Sequence, residues 1–474
     1  MKHIRTTVCF LAVLICDSAL AAVHYVPDEY ATIQAAVNAC KDFDTVIVAP
    51  GRYSGSGNRN ITFNGKSITV RSIDPGDPQI VNSTVIDCEG KGRGFAFYMG
   101  ENVDSTVAGL AVTNGYALLG GAIYCYNNSS PSITNCVIIT NSAVFGGAIA
   151  STNSKSHPNI TNCTITTNSA LVGGGGIYCN GGSPKIKNCI ISGNFAPDGG
   201  AIYSHNAGNP LIVNCTIAAN TASSSAAGIY CYKSSNLTIN NSILWGNTAT
   251  NASEVLVGNL DAPTSIRISH CDIQSPDENV IRDSDCTIDW GQGNIDADPH
   301  FTTTGYLTDT ESYTGGDYHL LKESPCIDAG DPAFVTAPDE TDIDGDPRIS
   351  GAKIDIGADE YEAPIRATVK VTPKTLNLAS NGKWINCTIQ LPDNYDVADI
   401  DTATIALNEN IEPQWCSIDE EVKKLLVKFN RSEIQNMLKD AENPLLLSIS
   451  GALNYGTDFE GTDTIRITPM GGKK

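Results

Sequence analysis

An acidic block near residue 345 holds the residues best suited to bind a metal ion. In the stretch TDIDGDPRI, Asp342, Asp344 and Asp346 alternate around Gly345. Carboxylate oxygens at this density are the ligands that Ca²⁺ prefers, although the glycine has the wrong offset for an EF-hand loop. Two interpretations remain open: the aspartates bind a Ca²⁺ ion that braces the protein, or they cap turns and pair with Arg348.

Four tyrosines share one position of a repeated phrase, GGAIYC or a close variant of it. They are Tyr124, Tyr178, Tyr203 and Tyr230. If their rings point outward, they form an aromatic stripe that can bind sugar rings. The alternative is a ladder in which the rings pack on one another and stabilise a sheet. The sequence predicts a candidate glycan-binding surface here and leaves both alternatives open.

Candidate catalytic acids are scarce in the middle of the chain. Between residues 105 and 260 the only carboxylate side chains are Asp198 and Glu254. A lyase acting on uronate sugars needs acids to hold Ca²⁺ and a Lys or Arg to take a proton. A glycoside hydrolase needs a close pair of carboxylates. The central part of the chain is therefore predicted to lack a catalytic centre.

Catalytic acids could instead come from the less regular ends of the chain. Asp87 and Glu89 form one candidate pair, and residues 339–360 supply others. His157 and His205 each stand near Asn and Pro, where a turn is expected. We therefore expect both histidines to be solvated and not to act as general bases.

A repeat indicates which elements position these residues. The cysteine position of PSITNCVIITNSA recurs in steps of 26, 27, 26, 26, 27 and 29 residues, at Leu110, Cys136, Cys163, Cys189, Cys215, Ser242 and Cys271. A fixed period of this kind is typical of stacked supersecondary units. Each repeat contains short β-like segments separated by glycine and asparagine turns, with no helical pattern. The sequence predicts an all-β fold, a parallel β-helix (solenoid) with one continuous core.

Two columns of stacked side chains are expected along this solenoid. Asparagine recurs at a fixed offset after the cysteine position, where a stacked amide can satisfy bent backbone, at Asn141, Asn168, Asn194, Asn220 and Asn247. Cysteine alternates with serine and leucine at its own position, which is the behaviour of a small core residue. Unpaired, inward-facing thiols are predicted at Cys136, Cys163, Cys189 and Cys215.

The chain divides into four predicted segments. Residues 1–21 have basic residues, an apolar run and an A-L-A motif, as in a signal peptide. Residues 22–300 are predicted to form the β-helix with an N-terminal cap helix, and residues 301–362 its irregular acidic end. Residues 363–474 show alternating strands and one helix, which predicts a small immunoglobulin-like β-sandwich.

Charge and hydropathy narrow the classes of partner. The chain carries a net charge of -22. Residues 22–260 carry only -1 of this, whereas residues 261–474 carry -22. Such an acidic surface argues against nucleic-acid binding. Beyond the signal peptide, no apolar run approaches the roughly 18 residues needed to span a bilayer. The protein is therefore predicted to be secreted or on the cell surface and not membrane-spanning.

Several of these motifs carry a family resemblance. The segment IQAAVNACKDFDTVIVAPGRY, the GGAI and NCxI phrases, and the later SPCIDAGDP and DIGADEY resemble exported bacterial right-handed parallel β-helix repeat proteins of the pectin-lyase-like superfamily. The resemblance covers roughly residues 25–362, and its last part resembles the choice-of-anchor Q segment. The remaining residues look like a C-terminal accessory module of such proteins. The superfamily holds lyases, hydrolases, esterases and non-catalytic surface proteins, so the fold alone does not imply an activity.

Two functional hypotheses follow. The first is a non-catalytic secreted or cell-surface β-helix protein that binds a polysaccharide, a cell-surface glycan or another surface partner. The second is a pectate-lyase-like polysaccharide lyase or a hydrolase, with its acids at the ends of the solenoid. The scarcity of acids between residues 105 and 260 favours the first. Apart from Ca²⁺, no cofactor is predicted.

Overall fold

The computed structural model describes residues 21–259, 263–307, 313–338, 340–419, 423–438, 443–454 and 457–468. The predicted signal peptide lies outside these residues except for Ala21. The described chain forms two units whose boundary falls between Tyr361 and Glu362. The first unit contains the solenoid, and the second contains the C-terminal strands.

Four parallel sheets build the solenoid, and we name them A, B, C and D. Sheet A contains Val23–Val26, Thr45–Val48, Thr69–Ser72, Thr106–Ala108, Ser132–Thr134, Asn159–Thr161, Lys185–Lys187, Leu211–Val213, Asn236–Asn240, Ser265–Ser269 and Thr287–Trp290. Sheet B contains Gly51–Tyr53, Thr84–Asp87, Ala111–Thr113, Val137–Ile139, Thr164–Thr166, Ile190–Ser192, Thr216–Ala218, Ile243–Trp245 and Asp272–Ile273. Sheet C contains Phe95–Phe97, Ile123–Cys125, Ile149–Thr152, Ile177–Asn180, Ile202–His205, Ile229–Tyr232, Val255–Gly258 and Val280–Arg282. Sheet D contains Tyr116–Leu119, Ser142–Phe145, Ser169–Gly173, Phe195–Asp198, Thr221–Ser225 and Thr248–Asn251.

Identical positions of successive coils stack in register. Ile138 pairs in parallel with Ile165, which pairs with Ile191. All three side chains are fully buried. Full burial of each isoleucine contributes about 1.5–3 kcal/mol relative to exposure, and no single coil could bury them alone. The predicted parallel β-helix is confirmed.

The predicted asparagine ladder forms at the corner between sheets B and D. The Nδ2 atom of each asparagine donates to Oδ1 of the asparagine in the next coil, at 2.9–3.0 Å from Asn141 through Asn247. The same Nδ2 also donates to a backbone carbonyl of the preceding coil, as Asn194 does to Ile165 at 2.9 Å. The ladder ends at Glu254, whose Oε2 accepts from Asn247 Nδ2 at 2.6 Å.

The cysteine column is confirmed as a set of unpaired, buried thiols. Each thiol donates to the backbone carbonyl two residues earlier, as Cys189 does to Lys187 at 3.1 Å. Ser242 makes the same bond with its hydroxyl, to Asn240 at 2.9 Å. Cysteine and serine therefore interchange because both satisfy this carbonyl at the corner between sheets A and B.

The described helices are all short, and one of them caps the solenoid. The predicted cap helix is Ile33–Ala39, with Thr32 as its N-cap, and it buries Ile33, Ala36 and Val37 against the first coil. The others are Pro78–Ser83 and Pro276–Asn279 in the first unit, and Arg431–Met437 and the 3₁₀ turn Val397–Asp399 in the second. Within the described chain, no helix has the length and apolar character needed to cross a membrane.

The described residues between 301 and 361, which we call the arm, do not extend the solenoid as an irregular end but fold back along its side. The arm contains two small antiparallel pairs, Phe301–Thr303 with Asp317–Leu320 and Tyr306–Leu307 with Tyr313–Thr314. Its apolar residues Phe301, Tyr318 and Ile356 pack with Ile243 on the outer face of sheet B. Sheet B presents apolar side chains outward there, and the arm removes them from water.

The second unit is a two-layer β-sandwich with its own core. One sheet contains Ile365–Arg366, Thr375–Asn377, Ile400–Leu407, Leu445–Leu453 and Asp458–Thr468. The other contains Thr368–Thr372, Trp384–Gln390, Trp415–Asp419 and Lys424–Asn430. Alternate residues of both sheets, such as Val371 and Ile449, are fully buried in one cluster. The predicted C-terminal sandwich is thus present.

Candidate functional site

The outer face of sheet C carries the densest group of aromatic side chains in the described solenoid. Strand alternation places Ile202 and Ser204 in the core and turns Tyr203 and His205 outward. Tyr230 and Tyr232 repeat this arrangement in the next coil. We call Tyr203, His205, Tyr230 and Tyr232 the aromatic quartet.

The quartet is a two-by-two array of rings in mutual contact. Tyr203 stacks on Tyr230 with ring centroids 5.1 Å apart, and His205 stacks on Tyr232 at 5.6 Å. Within each strand the rings are tilted, at 5.7 Å in the first coil and 5.4 Å in the second. All four residues are half-buried. Each of the four residues therefore keeps part of its surface open to solvent.

Glycines on two sides make room for these rings. A Cβ atom on Gly173 would lie 2.1 Å from Tyr203 Cδ1, a distance that no real side chain reaches. A Cβ atom on Gly258 would lie 3.0 Å from Tyr232 Cδ2 and 3.2 Å from Tyr230 Cε2. A side chain at either position would displace the tyrosine rings beside it.

Two polar residues border the quartet. Asp198 ends its sheet D strand. Burial raises the pKa of both Tyr203 and Tyr230, and the charge of Asp198 adds to it, as the second cause for Tyr230 and after the neighbouring tyrosines for Tyr203. Asp198 Oδ1 and His205 Nδ1 are buried with no hydrogen-bond partner. Such an orphaned atom costs about 1–3 kcal/mol, which a small rearrangement around a hydrogen-bonding ligand could recover. Burial and the charge of Lys233 lower the pKa of His205, so its ring is neutral near pH 7.

The two histidines judged from sequence have different environments. His157 is exposed in a loop, as predicted. The prediction of a solvated turn was wrong for His205, which ends the strand Ile202–His205 and packs between two tyrosine rings. The stacking of coils supplies those rings, and the local Asn and Pro residues gave no sign of it.

The other two predicted tyrosines lie outside the quartet. Tyr178 is only 4% exposed, because Phe145 stacks on it at 4.8 Å and Tyr203 lies on its other side at 5.7 Å. Tyr124 contacts Tyr126 and the guanidinium of Arg93. The register pairs both Tyr124 and Tyr178 with Ala150, which interrupts the stripe. Tyr178, Tyr203 and Tyr230 thus contact one another as a ladder of rings, of which Tyr178 is the buried member and Tyr203 and Tyr230 are half-buried.

A cleft of about 440 Å³ opens between sheet B and the arm. Its floor includes Thr164, Thr166 and Ser192, and one wall is helix Pro78–Ser83 with the loop before it. The arm forms the opposite wall with segments 315–319 and 341–345. A charged cluster lies on the arm side of this cleft.

His319 is the centre of that charged cluster. Its Nε2 atom lies 2.9 Å from Asp344 Oδ2, and its Nδ1 atom contacts Asp317 Oδ1. The hydrogen bond to Asp344 is the main cause that raises the pKa of His319 to about 10. Asp359 adds a carboxylate, so that His319, Asp344 and Asp359 could hold a metal ion. At neutral pH without an ion, His319 is a cation bridging two carboxylates.

The three aspartates of the acidic block have different contacts. Asp342 accepts three backbone N–H bonds, from Asp344, Gly345 and Asp346, at 2.9–3.0 Å. Its other oxygen accepts from Glu360 N at 3.1 Å, so both oxygens are used in capping. Asp346 stands apart from the group around His319, and Asp344 alone of the predicted set joins it. Arg348 pairs with Glu360 and not with an aspartate of the block.

The other candidate catalytic acids are committed to structural contacts. Asp87 pairs with Arg52 at 2.6 Å, and Glu89 pairs with Arg59 at 2.5 Å. Glu254 is fully buried at the end of the asparagine ladder. Asp198 alone among the acids between residues 105 and 260 lies beside a surface that a ligand can reach.

Sequence reasoning missed His205, Tyr232 and His319. His205 and Tyr232 stand two positions after a predicted tyrosine, so strand alternation applied to IYSH and IYCY could have found them. His319 lies 25 residues before Asp344, and only the folding of the arm brings them together. No local signal marks that pair.

A family match supports the architecture. The family described as right handed beta helix region matches residues 119–273, which include the whole quartet. A solved structure described as the crystal structure of pectate lyase Pel9A shows 15% identity and a TM-score of 0.42, covering 73% of this chain and 97% of that chain. No curated protein matches the chain. Sheet topology and the family match together identify the solenoid as a right-handed parallel β-helix.

Proposed function

We propose that this is a secreted or cell-surface protein that binds glycans through the aromatic quartet without transforming them. The observation that carries the proposal is the quartet, a half-buried array of three phenol rings and a neutral imidazole on a rigid sheet. Amphipathic rings of this kind offer an apolar body and a polar tip to a ligand. A rigid sheet adds little ordering entropy on binding.

The electrostatics of the quartet favour a neutral glycan. Asp198 places a negative charge beside the rings, whereas residues 22–260 as a whole, which include the quartet, carry a net charge of only -1. A polyuronate would meet repulsion from Asp198, which lowers its affinity. Sugar hydroxyls can donate to the carboxylate of Asp198 and exchange hydrogen bonds with the tyrosines. We expect neutral glycans to bind more tightly than polygalacturonate.

A glycan panel with ring variants tests this proposal. Y230A and Y232A should each weaken binding by about 0.5–1.5 kcal/mol, roughly two- to twelve-fold, when measured by calorimetry. Tyr25→Ala is the matched control, because Tyr25 is an exposed tyrosine on sheet A, away from the quartet. Equal affinities of Y230A, Y232A and Y25A, with folding verified by circular dichroism, would contradict the assignment of the quartet.

A second candidate function rests on the cleft beside the arm. Asp317, His319 and Asp344 bring two carboxylates to its wall. Two carboxylates could act as the acid and base of a glycoside hydrolase. A Ca²⁺ ion bound at Asp344 could hold an acidic sugar. The described residues lining the cleft include no Lys or Arg, which disfavours a lyase that needs such a base.

The same glycan panel separates the two candidates. Each mixture is assayed for new reducing or unsaturated ends, with and without Ca²⁺. Under the main proposal no products form, and D344A binds glycans as the wild type does. Product formation that D344A abolishes, while Y230A leaves it intact, would assign the activity to the cleft instead.

A further inference from the structure

Three separate elements bring metal-binding side chains together at the N-terminal end of the solenoid. His24 belongs to the first strand, Val23–Val26. Cys40 is the C-cap residue of helix Ile33–Ala39, and Asp44 immediately precedes strand Thr45–Val48. One ligand atom from each residue, namely an imidazole nitrogen, the thiol sulfur and a carboxylate oxygen, lies within 4.8 Å of the others.

The surrounding contacts hold these side chains in place. His24 Nε2 lies 3.2 Å from Asp44 Oδ2, and Tyr30 Oη lies 3.3 Å from His24 Nδ1. A partner on the second ring nitrogen is the usual way in which proteins orient a metal-binding histidine. Cys40 and Asp44 are 4% and 6% exposed, whereas His24 is half-buried. The group is thus sheltered, and His24 is its most exposed side chain.

A fourth donor lies at the same place. The backbone nitrogen of Ala22 donates to Asp44 Oδ1 at 2.7 Å. The predicted cleavage after Ala21 would turn this nitrogen into a free α-amine, which is a metal ligand when deprotonated. The carbonyl of Ala22 accepts from Thr45 N at 2.9 Å and fixes the position of the residue.

We propose that His24, Cys40 and Asp44 form a transition-metal site that the α-amine of Ala22 completes in the processed chain. One thiolate with nitrogen and carboxylate ligands suits Zn²⁺ or Co²⁺ in a tetrahedral geometry. The His24 to Asp44 separation of 3.2 Å is close to the edge of a tetrahedron with metal–ligand bonds of about 2.0–2.1 Å. Binding displaces the thiol proton of Cys40. The site is independent of the quartet and of the acidic block.

Titration with Co²⁺ tests the site on protein that begins at Ala22. Metal-free protein should bind Co²⁺ with thiolate-to-cobalt charge-transfer absorption in the near ultraviolet, and Zn²⁺ should displace the band. Both ions should raise the melting temperature in a concentration-dependent way. C40S should abolish the band, and H24Q should lower the affinity by more than about tenfold, at least the loss seen for supporting residues of metal sites.

Controls separate this site from other modes of binding. C88S removes another buried thiol of the solenoid and should leave the titration unchanged. Two residues added before Ala22 should weaken Co²⁺ binding, since they displace the α-amine. An amino-terminal Ala-Val-His sequence can also bind Cu²⁺ or Ni²⁺ in a square plane through backbone nitrogens. Co²⁺ binding without the thiolate band, or equal affinity in wild type and C40S, would overturn the proposal.

Discussion

A single carboxylate ends the asparagine ladder of the solenoid. Each ladder amide needs an acceptor in the next coil, and after Asn247 the chain supplies Glu254 in place of a sixth asparagine. Burial raises the pKa of Glu254 to about 8. The carboxyl group is therefore mostly protonated in the folded protein at neutral pH, unlike in the unfolded chain.

This pKa difference makes a testable contribution to stability. Between about pH 5 and pH 8 the folded state holds a proton on Glu254 that the unfolded state has lost. The free energy of unfolding should therefore fall as pH rises, by up to about 1.4 kcal/mol per pH unit from this group. E254Q keeps an oxygen that accepts from Asn247 and should remove this slope.

Denaturant titrations of wild type and E254Q at several pH values measure the effect. Asp272, with a pKa raised by burial to about 7, contributes the same trend and interacts electrostatically with Glu254. The difference between the two curves therefore reports Glu254 together with its coupling to Asp272. E254A, which leaves the Asn247 amide without its acceptor, should be less stable than E254Q throughout. Parallel curves for wild type and E254Q would contradict the assignment.

At the scale of elements, the corner between sheets A and B depends on a hydrogen bond that cysteine and serine both make. Cys189 donates to Lys187 and accepts from the backbone N–H of Cys163 at 3.5 Å. Ser242 makes the equivalent bonds with Asn240 and Cys215. From Cys136 to Ser242 the corner therefore holds a small side chain that can donate and accept, whereas the coil before them has Leu110 there.

Substitutions at Cys189 can separate this polar role from simple packing. C189S should change the free energy of unfolding by less than about 1 kcal/mol. C189V fills a similar volume but leaves the backbone N–H of Cys163 without its acceptor, which should cost roughly 1–3 kcal/mol. Urea unfolding measures both, and equal losses for serine and valine would show that volume alone matters.

The repeat made these elements predictable, but not all of them. The 26-residue period and the alternation of GGAIYC were enough to predict the solenoid, the asparagine ladder and the thiols. A second amide column, from Asn162 to Asn241 at the corner between sheets A and B, was missed. Its asparagines adopt positive φ angles in every coil, and NC in the repeat was the available signal.

At the scale of the molecule, the two units have separate cores. The solenoid core and the sandwich core are distinct clusters of buried residues, divided at Tyr361 and Glu362. We predict that residues 363–474 fold alone, with a free energy of unfolding in the usual range of about 5–15 kcal/mol. Circular dichroism and denaturant unfolding of this fragment check the prediction. A fragment without a cooperative transition would contradict it.

The path of the arm could not be predicted from sequence. Its residues have no period, and their contacts join positions far apart in the chain, such as Asn162 with Asp342. The acidic block was recognised, but the cleft needs the arm and sheet B together. The quartet was half recognised, because the tyrosine column was visible and the neighbouring column of His205 and Tyr232 was not used.

The arm also has a consequence for how this protein can change in length. Thr341 of the arm accepts hydrogen bonds from the side-chain amides of Asn162 and Asn188. In a later coil, Asn241 Oδ1 accepts from the backbone N–H of Asp331. The span of the arm is therefore matched to a fixed number of intervening turns. Solenoids commonly grow or shrink by duplicating or losing a repeat, but one extra coil between Asn162 and Asn241 would displace these anchors by about 4.8 Å. The contacts of the arm therefore fit only the present number of coils between Asn162 and Asn241.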